Sequence, residues 1–509
     1  MRLNILLVLS LCLSNLTRAQ TSLEKINLEN GKYKVGFQNY IVHDSTRTYS
    51  RVFDYSNEKI ARPISVSIWY PSEQNLSNSK PLEVVEYLEI LKEEEEWEHL
   101  PNDQILKWFY YSNTPENQKH LKEETTAHSG AKFAKGEFPV IIYAPSYQAS
   151  SIENFALCEY LASHGYVVLS SPSRGTENRF FSNNNVKEME TQARDVEFLM
   201  KEAGKFAVSD YDTMAIMGFS FGGLSNIIVQ NRNDYVNAIV SLDGTERYQY
   251  SLMDKSPFFD PKSIDAPYLH MAQKEIPEMV LKEDKINPEL NTKFQLYDSI
   301  TKTNAYQLRF NDLTHSHFST LGVLFANRDK RQDKSDSKIM KSYKWMVLYT
   351  LNFLNATLKQ DDLALKFMDN DPSDNGITMD LITIKSKLSE KDGFTFQDFN
   401  HLASNRNYES LVSLHDSIAK VHPSFEAPEG NLNILGLQLV FNPDKSSQGI
   451  NVFLLALKLY PNSANLYDSL GEAYLYVGDK EKAIESFERS LELYPQNQNA
   501  IERLEQLKE

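Results

Sequence analysis

The stretch DTMAIMGFSFGGLSNIIVQNR, residues 212–232, places a serine among glycines at the point where one sequence pattern gives way to another. An uninterrupted apolar run precedes the serine, as in a buried β-strand, and apolar residues at helical spacing follow it. Gly218 and Gly222 leave room for a sharp turn, and Gly223 lets the following helix pack closely on the sheet. We therefore predict that Ser220 lies in a strained turn between a strand and a helix, in the position of a nucleophile.

Strands and helices are predicted to alternate on both sides of this turn. Apolar runs without polar alternation, separated by helical patterns, occur at FPVIIYAP (138–145), YVVLSSPS (166–173), VNAIVSLDG (236–244) and APYLHMAQ (266–273). Strands of this kind are buried on both faces, which is typical of a parallel sheet covered by helices. The predicted fold class is therefore α/β, with a doubly wound, mostly parallel sheet.

A chain of 509 residues is too long for a single ordinary domain. We predict an α/β domain over 20–360, interrupted by a polar insertion or cap at 82–135. A connector is predicted at 361–395, because DNDPSDNG breaks regular structure there. A small all-α domain is predicted over 396–509.

The C-terminal region repeats itself. The motif ALKLYP at 456–461 recurs as SLELYP at 490–495, a period of 34 residues. The second unit resembles a tetratricopeptide repeat at Tyr467, Leu470, Gly471, Tyr474, Ala483, Phe487, Ser490 and Pro495. We expect paired antiparallel helices here, with small residues allowing close approach, and a protein partner that binds through the repeats.

The N-terminus has the pattern of a secretory signal peptide. Arg2 is followed by the apolar run LNILLVLSLCL and a small residue, Ala19, at the expected cleavage point. The run is too short to span a bilayer, and no other segment has transmembrane character. We therefore expect residues 1–19 to be removed and the protein to be secreted or periplasmic.

Charge excludes some classes of partner. The formal net charge is −16 and there is no basic cluster, which argues against nucleic acid as a partner. The acidic run LKEEEEWEHL, residues 91–100, is predicted to be a solvated helix face.

A nucleophilic serine needs a histidine base and an acid that orients the base. In this architecture both follow the serine along the chain. Asp243 ends the next strand and is preferred as the acid over Glu275, which follows the strand after it. His315 and His317 both follow the last predicted strand, and spacing alone does not choose between them.

Acyl transfer also needs hydrogen-bond donors for a developing oxyanion. The backbone N–H of Phe221, directly after the serine, is one candidate. The other is the N–H of Tyr147 or Gln148, in the loop after the strand at 138–145. The sequence shows no metal-binding cluster and no dinucleotide fingerprint, so no cofactor is predicted.

Residues 31–357 resemble the platelet-activating-factor acetylhydrolase and dienelactone-hydrolase-like branch of the α/β-hydrolases. The resemblance rests on RPISVSIWYP (62–71), FPVIIYAPSYQAS (138–150), YLASHGYVVLSSPSRG (160–175), GFSFGG (218–223) and SLDG (241–244), in that order. It implies hydrolysis of carboxylic esters, of short-acyl or phospholipid type. Two departures are Pro145-Ser146, where the branch usually has His-Gly, and Phe219 in place of a commoner histidine.

The resemblance also implies a role for individual residues. In the acetylhydrolase branch the acid lies at the strand directly after the nucleophile in the chain, as Asp243 does here. Its histidine is followed three residues later by phenylalanine, which selects His315, and its oxyanion donors fall on Tyr147 and Phe221.

Two hypotheses about function follow. The first is a secreted or periplasmic serine hydrolase that cleaves a small-molecule or lipid ester through Ser220, His315 and Asp243. The alternative is a catalytically inactive scaffold with a hydrolase fold, which binds a protein partner through its repeats.

Overall fold

The computed structural model describes residues 21–508, except 57, 74–75, 77–78, 326–330, 379, 388, 390–393 and 423–424. The expected signal peptide, residues 1–19, lies outside the described residues. The chain divides into two compact units, Met1–Leu388 and Ser389–Glu509. No helix in the described ranges is long and apolar enough to cross a membrane.

The described part of the first unit contains one sheet of eleven strands in the order β11-β10-β9-β8-β7-β5-β6-β2-β1-β4-β3. The six strands from β10 to β6 in this order run parallel to one another. The strand bounds are Lys34–Tyr49 (β1), Ile60–Ser72 (β2), Pro81–Glu83 (β3), Glu124–Ser129 (β4), Phe138–Ala144 (β5), Val167–Ser170 (β6), Ser209–Phe219 (β7), Ala238–Leu242 (β8), Tyr268–Ala272 (β9), Ala305–Phe310 (β10) and Ile382–Lys387 (β11).

Helices cover both faces of this sheet. The α-helices of the first unit are Leu23–Ile26 (α1), Val84–Glu94 (α2), Ile105–Trp108 (α3), Pro115–His120 (α4), Phe155–Ser163 (α5), Asn185–Ala203 (α6), Phe221–Arg232 (α7), Tyr250–Met253 (α8), Glu278–Glu283 (α9), Gln295–Ser299 (α10), Thr320–Leu324 (α11), Asp336–Leu358 (α12) and Asp362–Asp369 (α13). Short 3-10 helices occur at Asn102–Gln104, Thr245–Arg247, Pro288–Asn291 and His315–Phe318.

The central strands are buried on both faces, as their unbroken apolar runs predict. In β7, Met214 and Ile216 pack into one buried cluster, with α6 and α7. Their neighbours Ala215 and Met217 pack into the opposite cluster, with α5 and α12. Because successive side chains of a strand point to opposite faces, a sheet covered on both sides needs apolar residues at every position. The predicted α/β fold class is confirmed.

The insertion at 82–135 extends the sheet. Its strand β4 pairs in parallel with β1, and β3 pairs with β4, so the insertion adds the last two strands at this edge. The acidic run does not form a solvated face, because Glu94, Glu95 and Glu96 are all buried. That prediction was wrong: α2 ends at Glu94 among buried partners, which include Arg174.

The segment 361–395 is not a simple connector. Its helix α13 and strand β11 belong to the first unit, which extends to Leu388 rather than to residue 360. Strand β11 pairs antiparallel with β10 from Ala305↔Lys387 to Phe310↔Ile382. The physical reason is that β10 would otherwise present an unpaired edge, and long-range strand pairing leaves little trace in local sequence.

The second unit is helical over its described residues. Its helices are Phe396–Ser404 (α14), Leu411–Val421 (α15), Glu429–Val440 (α16), Ser446–Leu459 (α17), Ala464–Tyr476 (α18), Lys480–Leu493 (α19) and Gln498–Lys508 (α20). A Cβ atom on Gly471 of α18 would lie 2.6 Å from the ring of Phe487 in α19. The equivalent distance from Gly436 in α16 to the ring of Phe453 in α17 is 2.8 Å. The same glycine–phenylalanine contact therefore joins the helices of successive pairs.

Candidate active site

Ser220 occupies a sharp turn between β7 and α7. Its backbone has φ 55° and ψ −118°, a conformation that is costly for a residue with a side chain. The turn also brings backbones very close together. A Cβ atom on Gly222 would lie 2.1 Å from the carbonyl oxygen of Ala144, and one on Gly218 would lie 2.4 Å from the carbonyl carbon of Gly222. Glycine at both positions is therefore a steric requirement of this turn.

Hydrogen bonds from the neighbouring loop hold the strained turn in place. The N–H of Ser220 donates to the carbonyl of Leu242 at 3.2 Å. The carbonyl of Ser220 accepts from the N–H of Gly223 at 3.1 Å and from the N–H of Thr245 at 2.9 Å. Leu242 and Thr245 flank Asp243, so the serine and the candidate acid are carried by backbone segments that bind each other.

Three side chains from separate loops form a hydrogen-bonded series. The Oγ of Ser220 lies 2.9 Å from Nε2 of His315, and Nδ1 of His315 lies 2.6 Å from Oδ2 of Asp243. Asp243 is fully buried, whereas the His315 side chain is 40% exposed. This geometry allows the imidazole to take the serine proton while the carboxylate stabilises the resulting positive charge.

The competing candidates lie elsewhere. His317 is buried, and its Nδ1 lies 3.2 Å from the backbone nitrogen of Thr314 and 3.0 Å from the Thr314 hydroxyl. Glu275 is mostly exposed, and its carboxylate lies 3.8 Å from the guanidinium of Arg309. The structure therefore brings His315 and Asp243 to Ser220, and not the two alternatives.

The surroundings of Asp243 favour its ionised form. Burial by itself raises the pKa of this carboxyl, but the hydrogen bond and electrostatic attraction of the His315 ring, the positive charge of Arg247 and the N–H of Gln273 outweigh it and lower the pKa. The Gln273 N–H donates to Oδ1 at 3.0 Å, so both carboxylate oxygens of Asp243 accept hydrogen bonds. The carboxylate is thus fixed in orientation toward the imidazole.

The loop after β5, residues 145–154 and hereafter the β5 loop, carries the other predicted oxyanion donor. In the described part of the chain, the backbone N–H groups of Tyr147, Gln148 and Phe221 donate no hydrogen bond. The Tyr147 ring is half exposed and lies against the rings of Phe181 and Phe221, at 4.4 and 5.8 Å between centroids. These N–H groups are available to bind a developing oxyanion.

Ser146, which stands in the unusual Pro-Ser pair, is held by a carboxylate. Its N–H donates to Glu153 at 2.9 Å and its hydroxyl donates to the same side chain at 2.7 Å. The carbonyl of Pro145 accepts from Gln192 at 2.8 Å. Two residues at the start of the β5 loop are therefore held in place: Pro145 by Gln192, and Ser146 by Glu153.

Sequence reasoning missed a buried polar group beneath the Asp243 loop. The carboxylate of Glu246 accepts a hydrogen bond from the Ser241 hydroxyl and one from Tyr268 OH at 2.9 Å, and it lies 3.1 Å from Nδ1 of His270. Ser241 and His270 are direct partners across β8 and β9. The sequence signal that could have revealed this group is a polar residue within each of two apolar strands, Ser241 in β8 and His270 in β9. The group ties the loop that carries Asp243 to the sheet.

Among the described residues, no cluster of three or more His, Cys, Asp or Glu side chains is arranged to hold a metal ion.

Comparisons with known proteins bear on the repeat and on the fold. Residues 464–497 match the tetratricopeptide repeat family. No curated protein sequence matches the chain. Among solved structures, a ferulic acid esterase from Streptomyces cinnamoneus is similar, with 18% sequence identity and a TM-score of 0.50. The match covers 70% of this chain and 98% of that one. At this identity it shows the fold alone, so the chain combines an α/β-hydrolase fold with a helical region that contains a tetratricopeptide repeat.

Proposed function

We propose that the protein is a serine hydrolase of carboxylic esters. The observation that carries the proposal is the series of hydrogen-bonding distances from Ser220 through His315 to Asp243, 2.9 Å and then 2.6 Å. The series begins at a strained serine whose carbonyl and N–H are both held, so its hydroxyl is aimed by the fold.

In the proposed reaction, the Oγ of Ser220 attacks the carbonyl carbon of the ester and His315 Nε2 accepts the hydroxyl proton. Asp243 orients the imidazole and stabilises its charge. The tetrahedral oxyanion receives hydrogen bonds from the N–H groups of Phe221 and Tyr147. Collapse breaks the ester C–O bond, His315 passes the proton to the departing alcohol, and an acyl-serine remains. Water, deprotonated by His315, then attacks the acyl-serine, and the carboxylic acid leaves as Ser220 regains its proton.

Two further lines support the ester class. The similar solved structure is named as an esterase. The resemblance of residues 31–357 to the acetylhydrolase branch favours short-acyl or phospholipid-type esters. We also propose that the protein is exported after removal of residues 1–19, on the evidence of the N-terminal pattern.

The repeat favours a second function that is compatible with the first. Tetratricopeptide repeats stack helix pairs into extended surfaces that bind other proteins. The match at 464–497 supports a protein partner for the second unit. In the alternative proposal that partner binding is the whole function, the hydrolase fold is inactive.

One experiment separates enzyme from scaffold. Ser220→Ala should reduce the turnover number for p-nitrophenyl acetate at least about 10⁴-fold, because removal of a triad serine leaves only binding and oxyanion stabilisation. The circular dichroism spectrum and melting temperature should stay unchanged. Equal turnover by the wild-type protein and the variant would favour the scaffold.

A further inference from the structure

The acidic run at 91–100 has a role that neither its sequence nor the proposed reaction accounts for. Glu93 is exposed, as a solvated helix face requires, but the next residue, Glu94, is only 6% exposed. Helix α2 ends at Glu94, inside the protein. Burying a carboxylate costs free energy unless hydrogen bonds and charges compensate, so its partners indicate what it does.

The partners of Glu94 lie in the β5 loop. Its Oε1 accepts a hydrogen bond from the Ser151 N–H at 3.2 Å and another from the Ser151 hydroxyl. Arg174 joins the same contact, because its Nε donates to the Glu94 carbonyl at 3.0 Å and its Nη1 donates to the Ala149 carbonyl at 3.3 Å. The insertion thus holds the second half of the β5 loop at Ser151, through Glu94. Arg174, which lies outside the insertion, holds it at Ala149.

The first half of the loop is held at Ser146 by Glu153, which lies further along the same loop, and by the close packing of Gly222 on Ala144. Between these two anchored stretches lie Tyr147 and Gln148, whose N–H groups are unengaged among the described residues. Fixing both ends of a short loop fixes the direction of the N–H groups between them.

We propose that Glu94 is a positioning residue, which aligns the oxyanion donors of the β5 loop by binding Ser151. The insertion at 82–135 then contributes to the reaction itself, besides extending the sheet. This inference rests on the proposed ester hydrolysis.

The proposal makes a specific kinetic demand. Oxyanion donors bind charge that exists only in the transition state and the tetrahedral intermediate. A loop that loses one anchor should therefore lower kcat and leave KM nearly unchanged. A purely structural role would lower the melting temperature without changing kcat per folded molecule.

The test compares neighbouring residues of one helix in the full-length protein. Glu94→Ala should lower kcat for p-nitrophenyl acetate about 10- to 100-fold, since small displacements of a catalytic group cost up to about 100-fold. KM should stay within about twofold. Glu93→Ala, on the exposed side, should leave both constants unchanged. Glu94→Gln keeps an acceptor for Ser151 and should recover most of kcat.

A transition-state analogue gives a second readout. The inhibition constant of a trifluoromethyl ketone, which forms a tetrahedral adduct with the serine, should rise in Glu94→Ala by the same factor as kcat/KM falls. Unchanged inhibition and unchanged kcat would overturn the proposal.

Ser151→Ala covers the case in which Glu94→Ala does not fold. It removes the hydroxyl partner of Glu94 and should also lower kcat with KM preserved. Ser151→Ala keeps the N–H bond to Glu94 and also loses a contact with the Ser67 hydroxyl at 2.8 Å, so its loss of kcat should be smaller than that of Glu94→Ala. In the double variant the losses should not add fully, because both changes break the contact between the Ser151 hydroxyl and Glu94. Fully additive losses, or full activity in Ser151→Ala, would contradict the proposal. Ser220→Ala in the same assay distinguishes failure of the proposed ester hydrolysis from failure of the proposed role of Glu94. If Ser220→Ala retains activity, the proposed function is wrong. If only Ser220→Ala loses activity, the proposed role of Glu94 is wrong and the proposed function stands.

Discussion

The Nε2 atom of His315 lies 2.9 Å from the Oγ atom of Ser220, although 95 residues separate the two in sequence. The contact depends on two loops at the same edge of the sheet, after strands that are separated by β8 and β9. Ser220 follows β7, and His315 begins a 3-10 helix that follows β10. Because the carboxyl ends of parallel strands meet at one edge, loops far apart in sequence supply a single site there.

Exchanging the two histidines of this loop for glutamine should separate their roles. His315→Gln removes the base and should lower kcat about 10³-fold or more with little change in stability. His317→Gln loses the contact of its ring nitrogen with Thr314 and should cost about 1 kcal/mol of unfolding free energy, while kcat stays near wild type. Steady-state kinetics and urea unfolding of both variants check this. A greater loss of kcat in His317→Gln than in His315→Gln would contradict the assignment.

Asp243 should make stability depend on pH in the acid range. Its pKa is lowered in the folded protein, so its ionised form stabilises the fold above the unfolded-state pKa of about 4. This contribution should decrease as the pH falls through the lower, folded-state pKa. We expect the unfolding free energy of the wild type to exceed that of Asp243→Asn most above about pH 5, with the difference shrinking toward pH 3. If the difference in unfolding free energy grew as the pH was lowered, the pKa of Asp243 would be raised by folding, which would contradict this account.

Gly222→Ala should destabilise the first unit severely. The added methyl would overlap the backbone carbonyl of Ala144, which cannot move without displacing β5, so a cost of about 3 kcal/mol or more is expected. Gly204→Ala is the matched control, since Gly204 caps α6 with φ −64° and has only ordinary contacts. Urea unfolding measures both. Wild-type stability in Gly222→Ala would mean that the turn is less closely packed than described.

The boundary of the first unit can be tested by truncation. A fragment of residues 20–388 keeps β11, whereas residues 20–360 lack it and leave the edge of β10 unpaired. The shorter fragment should melt at a lower temperature and aggregate more readily, because an open strand edge pairs with other chains. Thermal melts followed by light scattering compare the two. Equal melting temperatures and equal aggregation of the two fragments would indicate that the first unit ends near residue 360.

The sequence was informative where structure is local. The turn at Ser220 and the repeat at 464–497 each lie in one continuous stretch, with glycines that report close packing, and the α/β class follows from uninterrupted apolar strands. Asp243 and His315 could also be predicted, because the order of strands and loops limits where the acid and the base can lie in the chain. The choice of His315 over His317 needed a family resemblance, since spacing leaves it open.

The misjudged regions depend on distant partners. Strand β11 forms by pairing with the open edge of β10, and Glu94 is buried in contact with Ser151 and Arg174. All of these partners lie far away in the sequence. An acidic run has the same composition whether it faces water or a buried arginine, so charge alone predicted the commoner case.

The most direct test of the central claim is covalent labelling of the full-length protein with a fluorophosphonate, followed by peptide mass mapping. The phosphonyl group reacts with a serine only when a base and oxyanion donors activate it. We predict one adduct per chain, on the peptide that contains Ser220, and no adduct in His315→Gln. An unlabelled chain, or an adduct on a different serine, would contradict the account.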